Sequence, residues 1–227
     1  MRKLPVTPTK WETILSIVYL LMEFLLIPSI LLIVNMLLPK PLNDARLNLV
    51  FFIVNLLAVG LILRKFIGKA LSATQPIGLL GNALKGLMLY WSLSFVVSLV
   101  LVLIDPNFAN INDASVADMI RDDFLVSVIG TVILAPPCEE LLFRGVIFGK
   151  LYNRRPIAAY AISALCFSLV HLVGYIGLYP FGTLALCFLQ YLPAGIALGW
   201  AYVRSGSILT PIIMHTVVNA MGVALMR

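Results

Sequence analysis

Long, almost uninterrupted apolar runs fill most of this 227-residue chain, and they constrain its fold more than any other feature. A helix needs about 20 apolar residues to cross a bilayer, whereas strands of an outer-membrane barrel appear as alternating segments of about ten residues. Because the runs are continuous, we predict an all-α fold, a polytopic transmembrane helix bundle of about seven spans with short loops. The predicted spans are residues 13–38, 47–63, 82–104, 124–149, 157–173, 183–203 and 207–225.

The composition excludes the other broad classes of protein. The chain is 61% hydrophobic and 11% charged, whereas a soluble domain is about 45–50% apolar and about 25% charged. Its polar residues are too few to cover a water-soluble core of this size. A cytosolic enzyme, a secreted domain and a disordered protein are therefore excluded, and the lipid bilayer is the expected main partner.

The distribution of Lys and Arg predicts the orientation in the membrane. With a cytoplasmic N-terminus, twelve of the 16 Lys and Arg lie inside, Arg2 among them, and four lie outside, including Arg227. This asymmetry agrees with the positive-inside rule. The loop from Asp105 to Asp123 then lies outside and is long enough for an amphipathic surface helix.

These features predict an integral membrane protein with a cytoplasmic N-terminus. We expect a prokaryotic plasma-membrane location for a short chain with a small N-terminal tail. The net charge of +6 is explained by topology, and no basic stripe with interleaved aromatic residues indicates a nucleic-acid partner.

Ionisable residues inside the apolar runs are the first candidates for function, because each costs at least about 2.5–3.5 kcal/mol at bilayer depth. The runs contain three glutamates and both histidines of the chain: Glu23, Glu139, Glu140, His171 and His215. All except Glu23 lie in the last four runs. No partner motif surrounds Glu23, so we interpret it as a hydrogen-bonding contact between helices.

Helical spacing separates the two adjacent glutamates. Glu140 and Arg144 are four residues apart in the order that favours an ion pair. Glu139 is turned by about 100° from Glu140 and is left to face a polar cavity. Pro136 and Pro137 are expected to break or kink the helix just before Glu139.

Three short motifs follow one another in the second half of the chain. They are EExxxR (Glu139, Glu140, Arg144), FxxxH (Phe167, His171) and HxxxN (His215, Asn219). Together and in this order, they resemble the motifs of the CPBP family of CAAX proteases and bacteriocin-processing enzymes, also called the Abi family, which includes the type II CAAX prenyl endopeptidase. The resemblance divides one integral membrane domain into N-terminal membrane helices and an outer loop (1–123) and catalytic helices (124–227).

The resemblance implies an intramembrane endopeptidase of the glutamate type that needs no metal or other cofactor. Glu139 and His171 would activate a water, and His215 and Asn219 would form the oxyanion site. This chemistry needs a base within about 2.6–3.2 Å of the water and preorganised donors for the oxyanion.

Three further motif residues are expected to support the site. Arg144 and Glu140 would stabilise each other, and Phe167 would shape the pocket by packing. Cys138 precedes Glu139 but points about 100° away around the helix, which disfavours a cysteine nucleophile.

The expected substrate is a peptide or protein, prenylated or membrane-embedded, that reaches the site from the membrane or its cytoplasmic face. Glu139 is expected near the cytoplasmic half of its span. Bacteriocin maturation and self-immunity are the candidate roles.

Two alternatives stay open. Glu139, His171 and His215 could hold zinc with one open position and make a zinc-dependent membrane protease, although an HExxH pair is absent. A non-catalytic membrane immunity or transport protein is the other alternative, although no inverted repeat is visible.

Overall fold

The computed structural model describes residues 3–226, and its regular structure is helical throughout that range. The ten helices are α1 (Lys10–Leu25), α2 (Ile27–Met36), α3 (Asp44–Ile62), α4 (Arg64–Ser72), α5 (Leu79–Ile104), α6 (Ile111–Asp122), α7 (Phe124–Tyr152), α8 (Pro156–Val170), α9 (Phe181–Ser205) and α10 (Leu209–Leu225). A single 3₁₀ turn, Val173–Tyr175, follows α8. The all-α prediction is confirmed. Arg2 and Arg227, which were counted in the prediction of membrane orientation, lie outside the described residues.

Fewer helices than predicted are long enough to cross a membrane. Within residues 3–226, α3, α5, α7 and α9 each pass by length and composition, and α1 with α2 makes a fifth if this bent pair is one span. The predicted spans 157–173 and 207–225 fall on α8 and α10, which have 15 and 17 residues. At 1.5 Å per residue these helices reach only about 23 and 26 Å, short of a core about 30 Å thick. The structure therefore has four or five candidate spans instead of seven.

A bend between α1 and α2 shapes one side of the bundle. The two helices meet at 42°, and Pro28 lies in the first turn of α2, where its missing N–H costs no helical hydrogen bond. Near the other end of α1, Thr9 and Glu12 form a capping box. Glu12 Oε1 also accepts a hydrogen bond from the backbone N–H of Phe66 at 2.7 Å, which explains this buried carboxylate as structural.

The central element is α7. Half of its most apolar stretch is buried inside the protein, compared with 11–28% for the other three long helices. On one side, Leu142 and Phe148 pack against Phe66 and Tyr202. The other long helices present most of their apolar surface outward, as expected for helices that face lipid.

A close approach between α8 and α9 fixes the position of the polar site. A Cβ atom at Gly195 would lie 2.7 Å from the Cα of Ala164, so only glycine permits this contact. The approach brings the α9 backbone next to α7.

The surface helix predicted between Asp105 and Asp123 is present as α6, and Asn110 caps its first turn through hydrogen bonds from the backbone N–H groups of Asn112 and Asp113.

Candidate active site

The segment of α7 that carries the first motif is wound unusually. Two π-helical stretches, Val128–Leu134 and Leu141–Phe148, flank the α-helical Ala135–Glu140. The chain continues as one helix through Pro136 and Pro137, so of the predicted break or kink the break is absent. Widened turns replace it, and such π-helical stretches occur frequently at functional sites.

The same winding explains the position of Asn219. The backbone N–H of Ala135 donates to Gly130, five residues earlier, and Pro136 has no N–H. The carbonyl of Thr131 is thus left without its helical donors. It accepts a hydrogen bond from Asn219 Nδ2 at 2.8 Å instead, which ties α10 to α7. Asn219 keeps a second amide N–H.

A fully buried glutamate connects two of the motif helices, α7 and α10. Glu140 Oε1 lies 3.1 Å from Arg144 Nη1, the ion pair predicted by their spacing. The same oxygen lies 2.9 Å from His215 Nδ1. Glu140 therefore holds the arginine and orients the histidine at once.

Arg144 is anchored on two further sides. Its Nη2 donates to the carbonyls of Ala194 and Gly195, both at 3.3 Å. Its guanidinium carbon lies 4.3 Å above the ring of Phe167, a cation–π contact. Phe167 thus packs against the charged support of the site, consistent with the shaping role predicted for it.

Glu139 faces both histidines. Its Oε2 atom lies 3.9 Å from Nε2 of His215 and 4.0 Å from Nε2 of His171. This oxygen is buried and has no hydrogen-bond partner among the described residues. A single water with hydrogen bonds of about 2.8 Å can bridge either gap.

The second ring nitrogen of each histidine has a defined partner. His171 Nδ1 lies 2.8 Å from the carbonyl oxygen of Phe167, which can only accept, so this nitrogen carries the proton. His215 Nδ1 donates to Glu140 in the same way. In the neutral rings, both Nε2 atoms therefore present a lone pair towards Glu139.

Sequence reasoning missed the ring that supports His171. Tyr191 of α9 stacks on His171 with ring centroids 4.3 Å apart. The Tyr191 hydroxyl accepts from Asn112 Nδ2 at 2.9 Å and donates to Asp113 Oδ1 at 3.1 Å. Asn110 also donates to Gln190 at 2.9 Å. No motif or spacing links α6 to α9, because the paired residues are about 80 positions apart.

Asp113 of the surface helix is an unusual acid. Burial raises the pKa of its carboxyl above the ordinary value of 3.8, and the Tyr191 hydroxyl and the His171 ring offset part of this effect. The docking of α6 therefore depends on a carboxyl that retains its proton more readily than usual.

Two spaces meet at Glu139 and His171. The inner cavity, about 290 Å³, lies between α6, α7, α9 and α10, and its lining includes Asp113, Met119, Thr131, Tyr191, Asn219 and Met226. The lateral groove, about 560 Å³, lies along α1, α2, α3 and the turn after α8, and its lining includes Glu23, Pro28, Asp44, Phe52, Val170 and Tyr175. Pockets for small ligands typically have volumes of about 300–1,000 Å³, so the two spaces together can hold a few residues of a peptide.

The inner cavity extends towards the end of the bundle occupied by α6. Asn48, near the start of α3, and Met226, just after α10, both line it. Lys150 and Arg155 lie at the opposite end, where α7 ends and α8 begins. Glu139 itself lies near the middle of the 29-residue α7, and its expected place near the cytoplasmic half of the span stays a prediction.

The side chains of Glu139, His171 and His215 are of the types that bind zinc, but their ligand atoms lie too far apart for a zinc site. Metal–ligand bonds of about 2.0–2.1 Å in a tetrahedral site place ligand atoms about 3.3 Å apart. The Glu139 oxygen is 3.9 and 4.0 Å from the two histidine nitrogens. Among residues 3–226, no group of three His, Cys, Asp or Glu side chains has metal-binding geometry.

The remaining candidate nucleophile lies away from the site. Cys138 is fully buried, and its Sγ faces the carbonyl of Phe52 at 3.9 Å.

The part of the chain that carries the three motifs is similar to known proteins. Residues 121–221 match the family model described as type II CAAX prenyl endopeptidase Rce1-like. The UPF0177 protein YxdF of Lactococcus lactis subsp. lactis (strain IL1403) is 33% identical over 90 residues, which make up 40% of this chain and 44% of that protein. The match thus spans less than half the length of this curated relative. No solved structure matches the chain.

The fold and the site define a helical membrane protein with a buried glutamate–histidine centre. The family match covers residues 121–221 and includes all three motifs, so the resemblance to the CPBP family is confirmed for this part of the chain.

Proposed function

We propose that this protein is an intramembrane endopeptidase in which Glu139 activates a water for attack on a peptide carbonyl. One observation carries the proposal: the unpartnered Glu139 oxygen faces Nε2 of both histidines across gaps that one water can bridge. The match of residues 121–221 to an endopeptidase family supports the same reaction class.

The hydrogen-bond pattern supports a defined orientation of the water. Because both Nδ1 protons are already donated, the Nε2 atom of His171 can accept one water hydrogen and Glu139 the other. An oxygen lone pair is then left to attack the carbonyl carbon. Glu139 takes the proton as the C–O bond forms and delivers it to the leaving amine when the C–N bond breaks.

The oxyanion formed in this step needs preorganised hydrogen-bond donors. Asn219 retains one free amide N–H beside the inner cavity, and its other N–H is fixed by Thr131. His215 can donate from Nε2 when its ring carries a proton there, and its Nδ1–H stays hydrogen-bonded to Glu140. Arg144 keeps Glu140 in place.

The expected substrate is a membrane-embedded or lipid-modified peptide. The lateral groove joins the site from the side of the bundle and is lined mainly by apolar residues, which suits a chain that arrives from lipid. With a cytoplasmic N-terminus, the inner cavity extends towards the outer side of the membrane. Maturation of, or immunity to, an exported peptide such as a bacteriocin fits this geometry, and proteolysis of prenylated CAAX substrates is the other candidate.

A cleavage assay in proteoliposomes tests the proposal. Purified protein is incubated with a library of membrane-anchored peptides, and mass spectrometry identifies new termini. Wild-type protein is expected to produce specific cleavages that Glu139→Gln and His171→Ala abolish. Asp118→Asn, a carboxylate-to-amide change on the exposed face of α6, is the matched control and should cleave normally. Cleavage that persists in both site variants would refute the proposal.

A further inference from the structure

A second buried glutamate lies beside the site, and the proposed mechanism does not use it. Glu23 of α1 is only 5% exposed and lines the lateral groove together with Glu139. Its Oε2 atom is buried without a hydrogen-bond partner among the described residues. The interpretation of Glu23 as a hydrogen-bonding contact between helices is therefore not supported.

Neighbouring groups do not neutralise this carboxylate. Tyr19, one turn earlier on α1, donates its hydroxyl to Asn55 instead. The nearby Glu139 adds repulsion rather than a counter-charge. An acidic group at this depth is costly and is typically kept for a function.

The composition of the groove indicates what would neutralise Glu23. Its lining contains three carboxylates, with Asp44 at the exposed start of α3, Glu23 on the wall and Glu139 at the inner end. No Lys or Arg is among the residues that line it. Most of the other lining side chains are apolar, and Phe24 and Leu31 are examples. A ligand that matches this surface is apolar and carries a positive charge.

We propose that Glu23 is a specificity residue that binds a cationic group of the peptide substrate, close to the bond that Glu139 attacks. The cation is an ammonium or guanidinium, supplied by a Lys or Arg side chain or by a free N-terminus. A charge-assisted hydrogen bond to Glu23 holds this group, and the apolar wall takes the adjacent residues. The inference rests on the proposed protease function, because it assigns Glu23 to the substrate of that reaction. Binding of the peptide can nevertheless be measured without cleavage.

Equilibrium binding tests the inference without any need for turnover. Fluorescent apolar peptides are prepared with Lys or with norleucine at one position, each with a free or an acetylated N-terminus. Their Kd values are measured on protein in nanodiscs, in a Glu139→Gln background that prevents cleavage. The cationic peptides should bind more tightly by about tenfold, the effect of one charged hydrogen bond. Loss of the preference on acetylation alone assigns the cation to the N-terminus, and loss with norleucine alone assigns it to the side chain.

Variants of the groove decide between a specific and a structural role. Glu23→Gln should remove the preference for the cation and leave the Kd of the neutral, acetylated peptide unchanged. Ser115→Ala, which lines the same groove, is the control and should keep the preference. A preference that survives Glu23→Gln, an equal weakening of all peptides, or no preference in the starting protein would each overturn the inference. Absence of cleavage by otherwise wild-type protein, with the binding preference intact, would instead overturn the protease function alone.

Discussion

At the scale of single residues, the site depends on the contacts that Glu140 makes with Arg144 and His215. One oxygen serves both Arg144 and His215, and the whole group is buried. A buried ion pair adds little net stability, but removal of one partner leaves an uncompensated charge. The pair is therefore best understood as the support that orients His215.

Substitution of Arg144 tests this interpretation through stability. Arg144→Met leaves Glu140 buried without its cation and should lower the free energy of unfolding by about 3–5 kcal/mol. The double variant Glu140→Gln/Arg144→Met should recover part of that loss, because no charge then remains unpaired. Unfolding in mixed micelles measures both values. Equal stability of the single and double variants would contradict the pairing argument.

Substitution of Asn219 tests the oxyanion role. Asn219→Ala removes the free N–H beside the inner cavity and should lower kcat by about 10²–10³, the cost of one oxyanion donor, with little change in KM. Steady-state kinetics on a peptide identified in the cleavage screen gives the two constants. A variant that is less stable but retains kcat would contradict the oxyanion role. Asn219 would then have only a structural role, through its hydrogen bond to Thr131.

At the scale of helices, the π-helical turns of α7 connect backbone geometry to the site. Pro136 has no N–H to offer Thr131, and Asn219 takes its place. Pro136→Ala supplies a competing backbone donor. We expect α7 to rewind towards an α-helix and Asn219 to lose its fixed position. The value of kcat should then fall, by up to about 10²–10³, which is the cost of one lost oxyanion donor. Unchanged kinetics would show that catalysis does not depend on the π-helical winding.

The docking of α6 is expected to depend on pH. The raised pKa of Asp113 means that the docked helix binds more protons than the undocked one. Docking is therefore strongest at low pH and weakens as the pH rises from about 4 through the raised pKa. The protection factors of the α6 amides, which correct the exchange rates for their intrinsic pH dependence, should fall over this range in wild-type protein but not in Asp113→Asn. The same fall in protection in both proteins would contradict this role of Asp113.

Sequence patterns predicted the local features of the site well. The pairing of Glu140 with Arg144 follows from helical spacing, and the surface helix α6 follows from the polar loop between apolar runs. The contacts of Tyr191 and the hydrogen bond of Asn219 to Thr131 could not be predicted, because they join distant positions and depend on backbone winding. The span count was too high because an apolar run does not reveal whether its helix is long enough to cross the bilayer.

At the scale of the whole molecule, the orientation decides which side of the membrane supplies the substrate. The charge asymmetry predicts that α6 lies outside and that the α7–α8 connection lies in the cytoplasm. Of the three free cysteines, Cys166 is the one that is not buried, so it is first replaced by serine. In this Cys166→Ser background, a membrane-impermeant thiol reagent should label Asp118→Cys in intact cells and Arg155→Cys only after lysis. The opposite labelling pattern would place the inner cavity on the cytoplasmic side.

The most direct test of the central claim is the initial rate of cleavage of one identified peptide by wild-type protein and by Glu139→Gln, each with and without a metal chelator. If Glu139 activates the water, the substitution should lower the rate by a factor of about 10²–10⁴, the contribution of a general base. The chelator should leave the wild-type rate unchanged. A Glu139→Gln variant that cleaves at the wild-type rate, or wild-type cleavage that stops with chelator and returns with zinc, would contradict the mechanism.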